Sequence, residues 1–387
     1  MRQVFAIPAA LKKRARGLCL CGPLAVAAAL TGCGSAPGPG VLEPTMLSAV
    51  GSTQVRVLAV TNRKFEEDKG VFGAVRTLKV SYQAIGVSVP PAHAVGEIEW
   101  PDGASGDPAK VFVTTSRSDL DETRFRAQLR REMGASGEVL VFVHGFNTNY
   151  QEGVFRMAQI AADSGVDGAH VLFSWPSIGE VTGYIRDRES ANFSRDQLER
   201  LMRFIAATPG VRKVNLLAHS MGNWLAVEML RQAKIKGDME FGGKLGQVLL
   251  ASPDIDAQVF QTQAEVIGPR TPPIVVFVSR NDKALSLSSK LAGDIPRVGS
   301  VALDDPRVKA AIQKNGMQVI DLSDVKSSDP LNHGAFAAAS PVIQRMGRQL
   351  NGSIGGGSPG GPGVFVLDAA GAVLDAPRGL FGVVTGR

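Results

Sequence analysis

The sequence predicts an α/β fold: a mostly parallel central sheet with antiparallel leading strands and helices on both faces. Three observations predict it. Short apolar runs of strand length, such as Glu138–Val143, Ala169–Phe173, Gln247–Ala251 and Ile274–Val278, alternate with longer helix-forming stretches. The strands before them follow one another without intervening helices, as antiparallel strands do. Finally, Val214–Ala218 is an apolar run that passes through His219, Ser220, Met221 and Gly222 into a helical stretch, Asn223–Gln232.

Taken in order, the chain opens with Arg2, Lys12, Lys13, Arg14 and Arg16, then an apolar core from Leu18 to Leu30 that is short for a bilayer span. It ends in Leu30-Thr31-Gly32-Cys33, which resembles a bacterial lipobox, with Cys33 as the lipidated first residue of the mature chain. Residues 1–32 are therefore expected to be a lipoprotein signal peptide. Gly34, in place of the Asp that holds lipoproteins at the inner membrane, implies the outer membrane, facing the periplasm. This segment also decides how the composition reads. The formal charge is +6, but five basic and no acidic residues lie in positions 1–33, leaving 37 Lys and Arg against 36 Asp and Glu. No basic excess remains to argue for a nucleic-acid partner. All three cysteines, Cys19, Cys21 and Cys33, fall there too, so the rest of the chain has no disulfide and no cysteine-based metal site.

Residues 33–53, rich in Gly, Pro, Ser and Ala, read as a flexible tether. The folded domain is expected over 54–350. Gln54–Val60, Thr77–Val89 and Lys110–Thr115 are the leading strands, and Arg124–Met133 is a charged amphipathic helix with a solvated face. Tyr150–Ala162 is a helix, Ile178–Ser190 an excursion over the site, and Ala191–Thr208 one helix with an apolar stripe. Trp175 and Tyr184 are read first as packing residues, then as substrate contacts. Met317–Leu322 is the last strand of the domain and Ala335–Leu350 its last helix. The remainder, 351–387, is a Gly/Pro-rich tail, in which Val364–Asp368 and Ala372–Asp375 are candidates for a hairpin without assigned function.

Strand, sharp turn and helix with a serine on the turn is the layout of a nucleophile elbow in an α/β-hydrolase fold. The turn needs small residues two positions either side of the serine, here Ala218 and Gly222. A serine hydroxyl needs a general base, and the base needs a carboxylate. In this fold the chain order is Ser, acid, His. Of five histidines only His333 follows Ser220, in a loop between the last strand and the last helix. Asp282, just past a buried strand, is the first candidate for the acid, and Asp254 is the alternative. His144-Gly145-Phe146 after a buried strand is placed to form half of an oxyanion hole. The expected donors are the N–H groups of Phe146 and Met221, with His144 organising the loop.

VFVHGFNTNY, FSWPS, Ser190–Ser194, LLAHSMGN, SPDID, SRNDKAL and the late His333 occur in that order. The set is similar to the bacterial α/β-hydrolase family of unknown function DUF900, grouped with esterase- and lipase-like enzymes. The likeness runs from about Val55 to Leu350. It implies a Ser/Asp/His site on Ser220, Asp282 and His333 and names no substrate. The expectation is a serine esterase, lipid-anchored in the bacterial envelope, needing no cofactor or metal and acting on a small-molecule or lipid ester. A thioesterase, amidase or peptidase on the same fold, or a non-catalytic envelope binding protein, are the alternatives. Nothing in the sequence sets an oligomeric state.

Overall fold

The computed structural model of the chain describes residues 37–102, 106–325, 327–338, 362–367 and 373–375. The expected signal segment, residues 1–32, and Cys33 lie outside the described residues. Three antiparallel strands open the sheet: β1 (Thr53–Glu66), β2 (Val71–Val89) and β3 (Val113–Leu120). Then α1 (Glu122–Met133), β4 (Glu138–Val143), α2 (Tyr150–Ser164) and β5 (Ala169–Ser174) follow. After α3 (Tyr184–Phe193) and α4 (Arg195–Ala206), β6 (Lys213–His219) leads directly into α5 (Met221–Ile235). The second half continues with β7 (Leu245–Ala251), α6 (Ala257–Ile267), β8 (Val275–Val278), α7 (Lys283–Leu291), α8 (Pro306–Lys314) and β9 (Gln318–Asp321). A four-residue helix α9 (Ala335–Ala338) and strands β10 (Gly363–Leu367) and β11 (Val373–Asp375) close the described chain.

The sheet order is β11-β10-β9-β8-β7-β6-β4-β5-β1-β2-β3. From β1 through β10 its neighbours run parallel. The order reverses at β4: the chain goes outward one way to β5 and returns past β4 to β6. Such a switch point leaves a crevice beyond the carboxyl ends of the two strands.

Alternate side chains of each strand feed opposite cores, as the two-residue pleat requires. Val139, Val141 and Val143 of β4 join α1, α4, α5 and α6 in one cluster, whereas Leu140 and Phe142 join α2 in the other. Helix starts are fixed locally. Asp121 caps α1 by accepting from the Arg124 N–H at 2.7 Å. At α2, Asn149 and Glu152 form a reciprocal capping box.

Several boundaries differ from the sequence reading. The stretch expected to be tether is docked from Pro37: Val41 and Leu42 are buried, and the Val41 carbonyl accepts from the Thr114 hydroxyl at 2.8 Å. Gly and Pro content signalled flexibility, but two apolar residues on a short 3-10 turn gain more by burial. The helix expected over 191–208 breaks at Ser194, whose buried hydroxyl is held by Asn62 and by the Ser190 carbonyl. Its first part is α3, so the excursion becomes helical at Tyr184. Helix α1 buries Phe125, Leu129 and Met133 rather than serving only as a solvated face. The tail contributes β10, which extends the sheet beyond β9, and β11 pairs with it. Of the expected last helix, residues beyond Ala338 lie outside the described residues.

Candidate active site

Ser220 is the hinge between β6 and α5. Its φ of 53° and ψ of −124° lie where a side chain is normally unfavourable, and the fold holds it there. Three contacts do so: the Ser220 N–H donates to the Ala251 carbonyl at 3.0 Å, and the buried Asn223 amide donates to the carbonyls of Ser220 (3.0 Å) and Ala251 (2.7 Å). The small residues have visible reasons. A side chain at Gly222 would strike the backbone carbonyls of Val143 and His144, at the end of β4. A side chain at Gly145 would begin 2.9 Å from the Ser220 Cβ. The elbow and the loop after β4 therefore meet at the switch point of the sheet.

His333 arrives from the other side of that crevice. Its Nδ1 lies 2.7 Å from Oδ2 of Asp282, which is wholly buried. The other carboxylate oxygen of Asp282 caps α7 by accepting from the Leu285 N–H at 3.0 Å, so the acid is fixed at both ends. Asp329 ties the loop: its carboxylate accepts from the N–H groups of Leu331, His333 and Gly334. Burial pushes the His333 ring down. The charge and hydrogen bond of Asp282, with the charges of Asp254 and Asp329, outweigh that and hold it above the usual 6.5. With Nδ1 turned to Asp282, Nε2 is the nitrogen left for other work. Among the described residues the Ser220 hydroxyl makes no hydrogen bond with that ring.

His219, next to Ser220 in the chain, packs beside the loop of His333. In the structure its ring centroid is 4.7 Å from that of His333, and its Nε2 donates to the His333 carbonyl at 3.3 Å. Burial first, then the adjacent charge of His333, drives its pKa well below 6.5. A neutral His219 is thus a brace for the His333 loop. The signal that could have found it is its adjacency to Ser220; only tertiary contact reveals the partner.

Asp254, the alternative acid, is committed elsewhere. It accepts from the Tyr184 hydroxyl at 3.0 Å and the Ser288 hydroxyl at 2.5 Å, and it lies 3.4 Å from Arg297 in a buried ion pair. The structure brings His333 to Asp282 and not to Asp254. Tyr184 is half-buried, so its hydroxyl joins this cluster while its ring meets Phe146 edge-on at 5.3 Å.

The loop carrying Phe146 is built on Arg63, at the end of β1. This buried guanidinium donates to the carbonyls of Gly73, Thr148 and Ser177 and to the Ser174 hydroxyl. Burial lowers its pKa to about 10 and the charge of Asp187 opposes the fall. His144 sits against it, buried, stacked on Trp175 at 5.0 Å and donating from Nδ1 to the Gly145 carbonyl at 2.9 Å. Burial and the Arg63 charge lower the His144 pKa to about 3, so the ring is neutral and structural. Trp175 donates to the His144 carbonyl at 2.8 Å and is fully buried. The N–H groups of Phe146 and Met221 have no acceptor among the described residues.

Two cavities lie beside this arrangement and neither is lined by Ser220 or His333. One of about 710 Å³ is lined mostly by polar residues of the loops at 280–286, 323–325 and 327–332. The other, about 610 Å³, is mostly apolar, between α6, α8 and the strands β8 and β9.

Among known proteins, the chain is 27% identical over 184 residues to an uncharacterized protein of Nostoc sp. (strain PCC 7120). The match covers 41% of this chain and 45% of that one, so the chain spans less than half the length of that curated relative. Among solved structures, an esterase of Pyrobaculum calidifontis shares 10% identity at a TM-score of 0.33, covering 81% of this chain and 88% of the other. A fungal esterase of Rhizomucor miehei shares 13% at 0.26, covering 85% and 78%. Neither likeness is close enough to inform the chemistry. The family model of the α/β-hydrolases of unknown function matches residues 118–352, more than half of the chain, from the end of β3 past the loop of His333. With that match on a sheet whose order reverses at β4, the protein belongs to the α/β-hydrolase family of unknown function DUF900.

Proposed function

We propose that the protein is a serine hydrolase that cleaves carboxylic esters through an acyl-enzyme. Membership in an α/β-hydrolase family supports hydrolase activity. The observation that carries the finer reading is the pairing of a strained Ser220 elbow with a His333 whose Nδ1 is already held by Asp282.

In this reading His333 Nε2 takes the Ser220 proton as Oγ bonds to the ester carbonyl carbon. The N–H groups of Phe146 and Met221 receive the negative charge that forms on the carbonyl oxygen. The C–O bond to the alcohol then breaks and His333 returns its proton to the leaving oxygen. A water molecule repeats the sequence on the acyl-enzyme, releasing the acid and restoring Ser220. Asp282 holds the productive tautomer and offsets the imidazolium charge. The Ser220 hydroxyl closes on Nε2 when substrate fills the crevice, as such bonds commonly tighten only in the complex. A lipid on Cys33 would place the enzyme on the outer membrane, facing the periplasm.

The test is labelling by a fluorophosphonate and turnover of a water-soluble ester, before and after Ser220→Ala. Loss of labelling and a fall in turnover on the order of 10^4 are expected, with unfolding unchanged. Undiminished turnover would refute the mechanism. A parallel set of thioesters and amides separates ester hydrolysis from its relatives on the same fold.

A further inference from the structure

The segments that follow the carboxyl ends of β5 and β8 rim the crevice and carry exposed aliphatic side chains. Val181 and Ile185, in the excursion, are 48% and 79% exposed, and Leu291, the last residue of α7, and Ile295 beyond it are 66% and 36% exposed. Their elements are fastened together at the site. The Tyr184 hydroxyl bonds Ser288 of α7 at 2.8 Å and Asp254 at 3.0 Å, and the Asp254 N–H donates to the Ser220 carbonyl at 3.2 Å. Charges on this rim balance: Glu180, Glu189 and Asp294 against Arg186, Arg188 and Lys290. Exposed aliphatic side chains without a field of one sign suit an uncharged lipid interface better than electrostatic capture.

The point where the described chain begins supplies the occupant. The Pro37 carbonyl accepts from Asn149 at 3.2 Å and Gln151 at 2.6 Å, and the Asn149 Cβ lies 3.3 Å from where a side chain at Gly179 would start. Pro37 is thus held against the segment that carries Val181. Cys33 is four positions upstream, a reach of at most roughly 14 Å of extended chain. A lipid on Cys33 would keep the segment that carries Val181 close to the bilayer.

We propose that the mouth of the site faces the surface of a lipid bilayer and takes ester substrates carried by membrane lipids; the substrate part rests on the serine-hydrolase reading above. The two parts fail separately. All three cysteines lie in positions 1–33, so a single fluorophore can be placed elsewhere through one introduced cysteine. The full lipidated protein, labelled through Ile185→Cys or Leu291→Cys, is reconstituted in phosphatidylcholine vesicles containing nitroxide-bearing lipid. Quenching by about twofold or more is expected at both positions, and adding phosphatidylglycerol changes it little. A label at Ile235→Cys stays bright, because α5 carries that residue roughly 20 Å from the elbow. Equal emission at 185 and 235 overturns the proposal. Quenching instead at Met46→Cys, another fully exposed apolar residue, overturns it too, as does burial of position 185 in a second copy in detergent. The double variant Ile185→Ser, Leu291→Ser should lower hydrolysis of a vesicle-borne ester about tenfold and leave a water-soluble ester unchanged. Equal losses on both esters would overturn the docking. Quenching as expected with neither ester hydrolysed would support docking and refute the chemistry.

Discussion

Replacing Asp282 by Asn separates the role of the acid from its role in the fold. Asp282 makes two contacts: Oδ2 to His333 at 2.7 Å and Oδ1 to the Leu285 N–H at 3.0 Å. Asparagine keeps an oxygen for the helix cap, and Asn is as good a cap as Asp, so stability should change by less than about 0.5 kcal/mol. The other contact inverts. An amide NH2 turned to His333 donates to Nδ1, which forces the proton onto Nε2, the nitrogen that accepts the Ser220 proton in the proposed mechanism. The expected loss in kcat is about 10^4, equivalent to roughly 5 kcal/mol of transition-state stabilisation. The same variant removes the leading cause that raises the His333 pKa, so any residual activity should rise with pH through an inflection below that of the parent enzyme. Asp254→Asn is the control, because Asp254 serves Tyr184, Ser288 and Arg297 instead. The assay is steady-state hydrolysis of a water-soluble ester from pH 5 to 9 with melting curves of each variant. A larger loss in kcat at Asp254 than at Asp282 would refute the assignment of the acid.

Three further outcomes are expected. Gly222→Ala places a Cβ against the carbonyls of Val143 and His144, backbone that has no flexible tip to move, and should destabilise by about 2–3 kcal/mol in denaturant unfolding. Arg63→Lys cannot reach the carbonyls of Gly73, Thr148 and Ser177 with one ammonium and should cost about 3 kcal/mol and lower kcat, because the loop carrying Phe146 rests on those bonds. His93 lies between Glu99 at 2.8 Å and Asp163 at 2.9 Å. Burial lowers its pKa, but the two carboxylates together raise it above 6.5. A raised folded pKa stabilises fully below the unfolded value near 6.5 and loses that contribution as pH rises through the folded one. Melting temperature should therefore fall as pH rises from about 6.5 through the raised folded value, and His93→Gln should flatten that part of the profile; an unchanged slope would sink the assignment.

Local chemistry made part of this protein readable from the chain alone. Apolar runs of strand length place most of the strands, because burial on both sheet faces demands near-continuous apolar residues. The Ser220 elbow was visible because its tight turn restricts residue size at 218 and 222, and His333 because no other histidine follows the serine. What chain order could not supply was contact across the molecule. Whether Asp282 or Asp254 meets His333 depends on which of two neighbouring strand ends, β8 or β7, faces its loop, a matter of one strand spacing that carries no local signature. His219 as a brace, Arg63 under the loop of Phe146 and the docking of Val41 and Leu42 share that cause: each gains its energy from partners tens of residues away. Sequence periodicity records which faces are buried; only the packed sheet decides what those faces meet.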